Sequence, residues 1–353
     1  MRTVALAAAI LLLADARGEP GELTATFIGN SAFHVTDGEV AVLADFPYLS
    51  GALGYMEWSP SLVPKGPRPL CLFTHAHRDH FAPDQVAAFC DVVVGPAGLA
   101  REAGVRTLAL ESPIRWKGLT IRAVATPHAS VEHVSYLVEW QGQRLYFSGD
   151  TEETAALLEA RDLDVAFVTP WLLEAVAKAG ARVDARRIVT CHQQPSSAGQ
   201  PLPDSVPTQG EVLRLPSRPG ARTPPSEAPD SSPIPAPPRT AEEAEFAARW
   251  GEAERNVIVP GAGRDFMNGP FTESFFRTYP TRVSECTQST GEKAASDFDV
   301  AIQLAADGRV LAAIVRPRSK LTTCFAASAS RDTFAKPPFE GFWVPVGIKF
   351  GRP

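Results

Sequence analysis

The chain has 353 residues, 44% of them hydrophobic, and a formal net charge of −6. That is more apolar material than one average domain requires, so two folded units are expected. The acidic balance lacks the positive footprint that neutralises phosphate backbones, which argues against nucleic acid as a general partner; the short cluster Arg316, Arg318 and Lys320 reads as a solvated strand end.

In chain order, Arg2, the apolar run 4–13 and the small-residue triplet Ala14-Asp15-Ala16 read as a signal peptide over residues 1–16, and hence as an exported chain, periplasmic or secreted. The run is shorter than the roughly 20 apolar residues a membrane span needs, so no transmembrane helix is expected in the mature form. Residues 22–28, 31–36 and 40–45 read as short strands, with a turn at Asp37-Gly38, and the apolar run 69–74 as a buried strand. Helix (83–90), strand (91–95) and helix (96–104) follow, then strands at 119–126, 133–140 and 144–149. A helix at 152–160, a strand at 164–169, a helix at 171–180 and a last strand at 187–191 complete the series. Strand-rich halves covered by helices imply a layered α/β domain over 17–215.

Residues 195–240 hold 13 of the 32 prolines, and 216–240, rich in Pro and Ser and without periodicity, read as an extended linker. The remainder, 241–353, balances 14 basic against 14 acidic side chains, so charge directs no functional reading there. Its pattern is a helix from 241, a hairpin turning at Asp307-Gly308, a weakly helical stretch at 322–334 and a terminal strand at 342–350: a small α+β domain.

Five cysteines in an exported chain leave at least one unpaired. Cys286 and Cys324, both in the C-terminal unit, are the expected disulfide. Cys71, Cys90 and Cys191 read as small buried hydrophobes, although the position of Cys191 beside His192 leaves a thiolate ligand open.

The densest chemistry is in "LFTHAHRDHFAP" (72–83), which spends three of the chain's seven histidines within six positions: His75, His77, His80, with Asp79. Side chains at i and i+2 of an extended segment project to one side, so His75 and His77 can grip one ion together, and Asp79 and His80 can face a neighbouring one. Imidazole and carboxylate suit a borderline cation such as zinc. His128 in "ATPHAS", Asp150 in "FSGDT" and His192 after "RIVTC" each close a predicted strand, where distant positions can converge on one sheet edge. His34 and His133 lie inside predicted strands and read as structural.

This ordered set resembles the metallo-β-lactamase superfamily of hydrolases, over roughly residues 22–215. The opening "FIGNSAFHVTDGEVAVLADFP", with Asp45 ending a strand, is similar to the branch containing ascorbate-6-phosphate lactonase-like and phospholipase D-like enzymes. The resemblance implies an αββα sandwich with two metal ions at the sheet edge: one held by His75, His77 and His128, the other by Asp79, His80 and His192, with Asp150 bridging. The loop 47–66 departs from the pattern, and the short stretch between Asp150 and His192 leaves no room for the inserted domain of the nucleic-acid-processing branch. In the C-terminal unit, the β-β-α-β order with "AADGRV" at the turn resembles TonB-like C-terminal domains; an unrelated small module fits the pattern equally. The TonB likeness implies an edge strand able to pair with a partner protein.

The chemistry also follows from the residues. Two cations about 3.5–4 Å apart can share a hydroxide, because coordination draws the pKa of water towards 7, and can polarise a carbonyl or phosphoryl oxygen. Asp79 would orient that nucleophile and accept its proton. A hydrolase of an ester-type bond (phosphodiester, lactone or related ester, small-molecule or lipid) is therefore expected, with two divalent ions, Zn²⁺ first and Mn²⁺ or Fe compatible with the same ligands. Tyr48, Tyr55, Met56 and Trp58 of the 47–66 loop are candidates for substrate contact or for packing onto the sandwich. The alternative is an exported scaffold or interaction protein with a structural or vestigial metal site.

Overall fold

A computed structural model describes residues 22–350 apart from 112, 130, 194–205, 216–228, 237–238 and 293–296. The expected signal peptide at 1–16 and parts of the expected 216–240 linker lie outside the described residues.

Two sheets face each other. The first has strand order β13-β1-β2-β3-β4-β5-β6, from β1 (Thr24–Gly29), β2 (Ala32–Thr36), β3 (Ala41–Ala44), β4 (Leu70–Leu72), β5 (Val92–Val94), β6 (Arg106–Thr107) and the returning β13 (Val212–Arg214). The second has order β12-β11-β10-β9-β8-β7, from β7 (Ile114–Trp116), β8 (Leu119–Ala125), β9 (Val134–Trp140), β10 (Gln143–Phe147), β11 (Leu163–Val168) and β12 (Ala185–Thr190).

Side-chain alternation decides the layers. Leu70 and Leu72 of β4, Val92 and Val94 of β5, and Val165 and Phe167 of β11 enter the core between the sheets, while Cys71, Val93 and Ala166 point outward. Those outward residues are buried too, because helices cover them: α1 (Val86–Phe89) and α2 (Ala97–Ala103) on the first sheet, α3 (Ala155–Glu159) and α4 (Pro170–Lys178) on the second. This explains why the parallel strands read as continuous apolar runs rather than as alternating ones. The result is the expected αββα sandwich. The sheets are also tied through Tyr136 of β9, whose buried hydroxyl donates to the Phe73 carbonyl at 2.8 Å.

β6, β7 and β13 are too short to register as periodic segments. Residues 229–236, inside the expected linker, run along β6 and β7: Ile234 and Thr107 exchange backbone hydrogen bonds of 2.7 and 2.9 Å, and Ser231 N–H donates to the Arg115 carbonyl. This strap covers edges that would otherwise expose unpaired backbone groups.

The C-terminal unit has a core of its own. Its three-stranded sheet, order β15-β14-β16, comprises β14 (Phe298–Leu304), β15 (Val310–Arg316) and β16 (Phe342–Ile348). α5 (Ala241–Ile258), opened by a Thr240/Glu243 capping box, packs Ala253 and Trp250 against Ala301 and Trp343 on one face. α7 (Thr272–Thr290) and α8 (Lys320–Ala329) cover the other face, joined by the expected Cys286–Cys324 disulfide. The sequence reading did not anticipate α6 (Ala262–Phe266) or α7. Pro270 and Pro280 interrupt the spacing of Phe271, Phe275, Tyr279, Val283 and Cys286, and so mask the helical stripe these residues form.

One cysteine expectation is corrected. Cys71 and Cys90 are not independent buried hydrophobes but a disulfide, linking β4 to the end of α1. Adjacent elements on the outer face of the first sheet bring together two residues that carry no spacing signal.

Candidate metal centre

The ligand-type residues leave the carboxyl ends of their strands, and β8, β10 and β12 of the second sheet run in one direction. His75 lies just past β4, His128 past β8, Asp150 past β10 and His192 past β12, so the sheet edge gathers them at one spot. The segment after β4 then turns, with His80 and Phe81 N–H both donating to the His77 carbonyl at 2.9 and 2.8 Å. The turn swings Asp79 and His80 toward the second sheet. Before Asp150, Gly149 has φ +57°, and a Cβ there would stand 2.4 Å from His133 Nε2 and 2.7 Å from Thr74, so glycine is required.

The structure brings all seven residues together in two groups: His75, His77 and His128 in one, and Asp79, His80, Asp150 and His192 in the other. Within each group the ligand atoms lie within 4.8 Å of one another. Asp150 spans the gap: its Oδ2 is 3.3 Å from His192 Nε2, 3.9 Å from His75 Nε2 and 4.0 Å from His128 Nε2, and its Oδ1 is 3.1 Å from His80 Nε2. Asp79, His80, His75 and His192 are buried, whereas His77 and His128 are partly open.

These contacts suit cations. His75 Nε2 and His77 Nδ1 approach to 3.0 Å, as do His80 Nε2 and His192 Nε2 to 2.9 Å. Facing lone pairs at that distance need a proton or an ion between them. Asp79 Oδ1 is buried without a hydrogen-bond partner among the described residues, a cost that a polar occupant of the centre would remove. Nitrogen and carboxylate donors are the set a borderline divalent cation takes.

Electrostatics place the charges. Burial pushes the Asp150 carboxyl up, but the His80 and His192 rings outweigh it and hold that carboxyl well below its usual range. Burial also opposes charge on His80, where the carboxylates of Asp150 and Asp45 win and raise it well above the ordinary imidazole value. His75 is driven the other way, by burial first and then by its histidine neighbours. Asp79 is lowered despite burial, by the hydrogen bond from His192 and the charges of His80 and His192.

A supporting layer sets the tautomers. Asp45, with left-handed φ of 46°, accepts from the Thr74 N–H at 2.8 Å and from the Thr74 hydroxyl, and lies 3.0 Å from His80 Nδ1. Because the Thr74 hydroxyl donates to Asp45, it accepts from His75 Nδ1 at 3.0 Å. One carboxylate thereby turns the Nε2 lone pairs of both His75 and His80 toward the centre. His133, read as lying within a strand, sits one residue ahead of β9; its Nε2 accepts the Asp150 N–H at 3.0 Å, and its Nδ1 is 2.8 Å from the Thr126 hydroxyl. Asn30 binds the Asp79 carbonyl and receives His192 N–H on its own carbonyl. The sequence reading missed the roles of Thr74, Asn30 and His133. For Asp45 the available signal was its place at the end of a strand parallel to β4, the same placement as the ligands.

The loop aromatics divide. Tyr48 is fully buried and, with Trp58, packs around Phe46, and the Trp58 indole donates to the Tyr48 carbonyl. Tyr55 alone of the three meets the centre, its ring 4.3 Å from His192, with Trp171 on another side at 5.2 Å. Cys191 is not part of the cluster: it is buried, its thiol directed at Ser31 and the Val168 carbonyl, and burial pushes its pKa up.

The family profile described as "Beta-lactamase superfamily domain" matches residues 24–170. Among solved structures, a metallo hydrolase from the archaeon Ignicoccus hospitalis is 19% identical, covering 56% of this chain and 100% of its own, with a TM-score of 0.40. An isothiocyanate hydrolase from Delia radicum gut bacteria is 15% identical over 54% of this chain and 98% of its own, at 0.40. A metallo-β-lactamase fold protein from Bacillus subtilis is 12% identical over 55% and 99%, at 0.39. No curated protein sequence matches the chain. The matched region holds six of the seven clustered residues, all but His192, on the sandwich described above, so residues 24–170 carry the match to a β-lactamase superfamily domain together with most of the cluster.

Proposed function

We propose that this protein is a binuclear metal-dependent hydrolase that cleaves an ester-type bond, in a phosphodiester, a lactone or a related small-molecule or lipid ester. The observation that carries this is the convergence of five histidines and two aspartates in two ligand groups that Asp150 spans. Two divalent ions, Zn²⁺ first, would lower the pKa of a water and polarise the substrate oxygen. His75, His77 and His128 would hold one and Asp79, His80 and His192 the other.

The chain's own groups supply the rest. Asp79 keeps one oxygen on His192 Nε2 at 3.1 Å and leaves Oδ1 uncommitted, so that oxygen can orient a water and take its proton. Asp45 and Thr74 hold two imidazoles in the ligating tautomer. Tyr55 and Trp171 wall the site beside His192 and exclude solvent from the reacting bond.

The signal segment (1–16) would export the chain, and two disulfides suit an oxidising compartment. The likeness of the opening to the lactonase-like and phospholipase D-like branch favours ester substrates. A TonB-like role for the C-terminal unit (241–353) would give it a protein partner. Among the described residues no helix is long and apolar enough to cross a membrane.

Purified protein should carry two metals per chain and turn over a generic phosphodiester or a member of a lactone panel, with activity lost in His77→Ala and Asp79→Asn. Full metal loading without turnover on such a panel would overturn the hydrolase reading in favour of a scaffold.

A further inference from the structure

Arg78 sits between two ligands, His77 and Asp79, yet its side chain leaves the centre. Its Nε donates to Glu254 Oε1 of α5 at 2.6 Å, in the C-terminal domain, with the two side chains only 14% and 12% exposed. Arg78 Nη1 is buried without a hydrogen-bond partner among the described residues, and Glu254 is the carboxylate paired with this guanidinium there. The Arg78 carbonyl accepts from Leu49 N–H at 2.7 Å, which ties the same residue to the loop carrying Tyr55. α5 reinforces both attachments: Ile258 packs against Leu49, Ala52 and Ala82, and Arg255 pairs with Asp84. A cleft of about 630 Å³ runs between α5 and the sandwich, and Arg78, Glu254, Arg255 and Asp84 are among the residues that line it.

Resting on the metal-centre reading above, we propose that the C-terminal domain is a positioning element for the metal centre, with Glu254 gripping Arg78 so that the 75–80 turn presents His77, Asp79 and His80 in register. A buried guanidinium left without its carboxylate pulls its backbone toward water, and that backbone is shared with two ligands. Glu254 touches neither substrate nor ligand and acts only through Arg78.

The test uses the full-length chain and two readouts that need no turnover: zinc affinity by chelator competition, and amide exchange of His80 and Phe81 in metal-free protein. Glu254→Gln should weaken zinc binding about tenfold and speed those amides by a similar factor, with Glu254→Asp intermediate, while Arg255→Gln stays within about twofold of wild type. Circular dichroism confirms that each variant is folded. Glu254→Gln matching wild type in both readouts overturns the proposal, as does an equal loss in Arg255→Gln, which would mean that domain docking in general is responsible. If wild type binds none of zinc, manganese or iron while the amides still respond to Glu254→Gln, the metal-dependent hydrolase reading fails and the positioning of the 75–80 turn by Glu254 stands.

Discussion

Removing the Cys71–Cys90 disulfide should weaken both the fold and the metal centre. The bridge spans 19 positions, and the segment it closes carries His75, His77, Asp79 and His80. Loop-closure entropy for that length gives about 3 kcal/mol at 25 °C. Both cysteines are fully buried, so Cys71→Ala/Cys90→Ala also leaves a small void on the outer face of the first sheet, and about 3 kcal/mol is a lower figure. The second bridge is the internal control: Cys286–Cys324 spans 38 positions and encloses no clustered ligand. Its loop term is about 4 kcal/mol by the same relation. Urea unfolding of the two double variants should show comparable losses, but zinc affinity, by chelator competition, should fall only when Cys71–Cys90 is removed. A Cys71→Ala/Cys90→Ala protein within about 1 kcal/mol of wild type and binding zinc equally would refute the idea that the bridge restrains the ligand segment.

Asp45→Asn keeps the size and left-handed backbone that position 45 requires but removes the charge shared by His80 and Thr74; zinc affinity should drop about 10–100-fold with little change in far-UV circular dichroism. His34, buried in β2, has its pKa lowered by burial to about 4, so the unfolded chain takes up a proton that the folded chain resists. Stability from this group is intact above pH 6.5 and lost as pH falls toward 4, by about 3 kcal/mol in all. His34→Leu should flatten that part of a urea-midpoint-versus-pH curve, and an unchanged curve would reject the assignment. Tyr136→Phe strips the hydroxyl that bridges the two sheets and leaves the Phe73 carbonyl without that donor; a loss of about 1–2 kcal/mol is expected in urea unfolding.

Much of the centre was legible because its residues are local signals. His75, His77, Asp79 and His80 fall within one turn, and His128, Asp150 and His192 each follow an apolar strand whose period shows where the chain reaches the sheet edge. The Asp307-Gly308 hairpin and the Cys286–Cys324 pairing were readable for similar reasons: a turn dipeptide and a restricted choice of partners. Other features depend on what two remote segments do to each other. Asp45 becomes the orienting carboxylate only because β3 lies beside β4, and Cys71 meets Cys90 only once α1 folds back over the sheet. Tyr48 and Tyr55 share one loop, yet the packing of Phe46 and Trp58 draws one into the core and leaves the other against His192. Glu254 reads in sequence as one more charge on an amphipathic helix, and only the docking of α5 gives it Arg78. Residue type and period set which chemistry the chain can assemble. Contacts between distant segments, which no local pattern encodes, set how that chemistry is oriented and restrained.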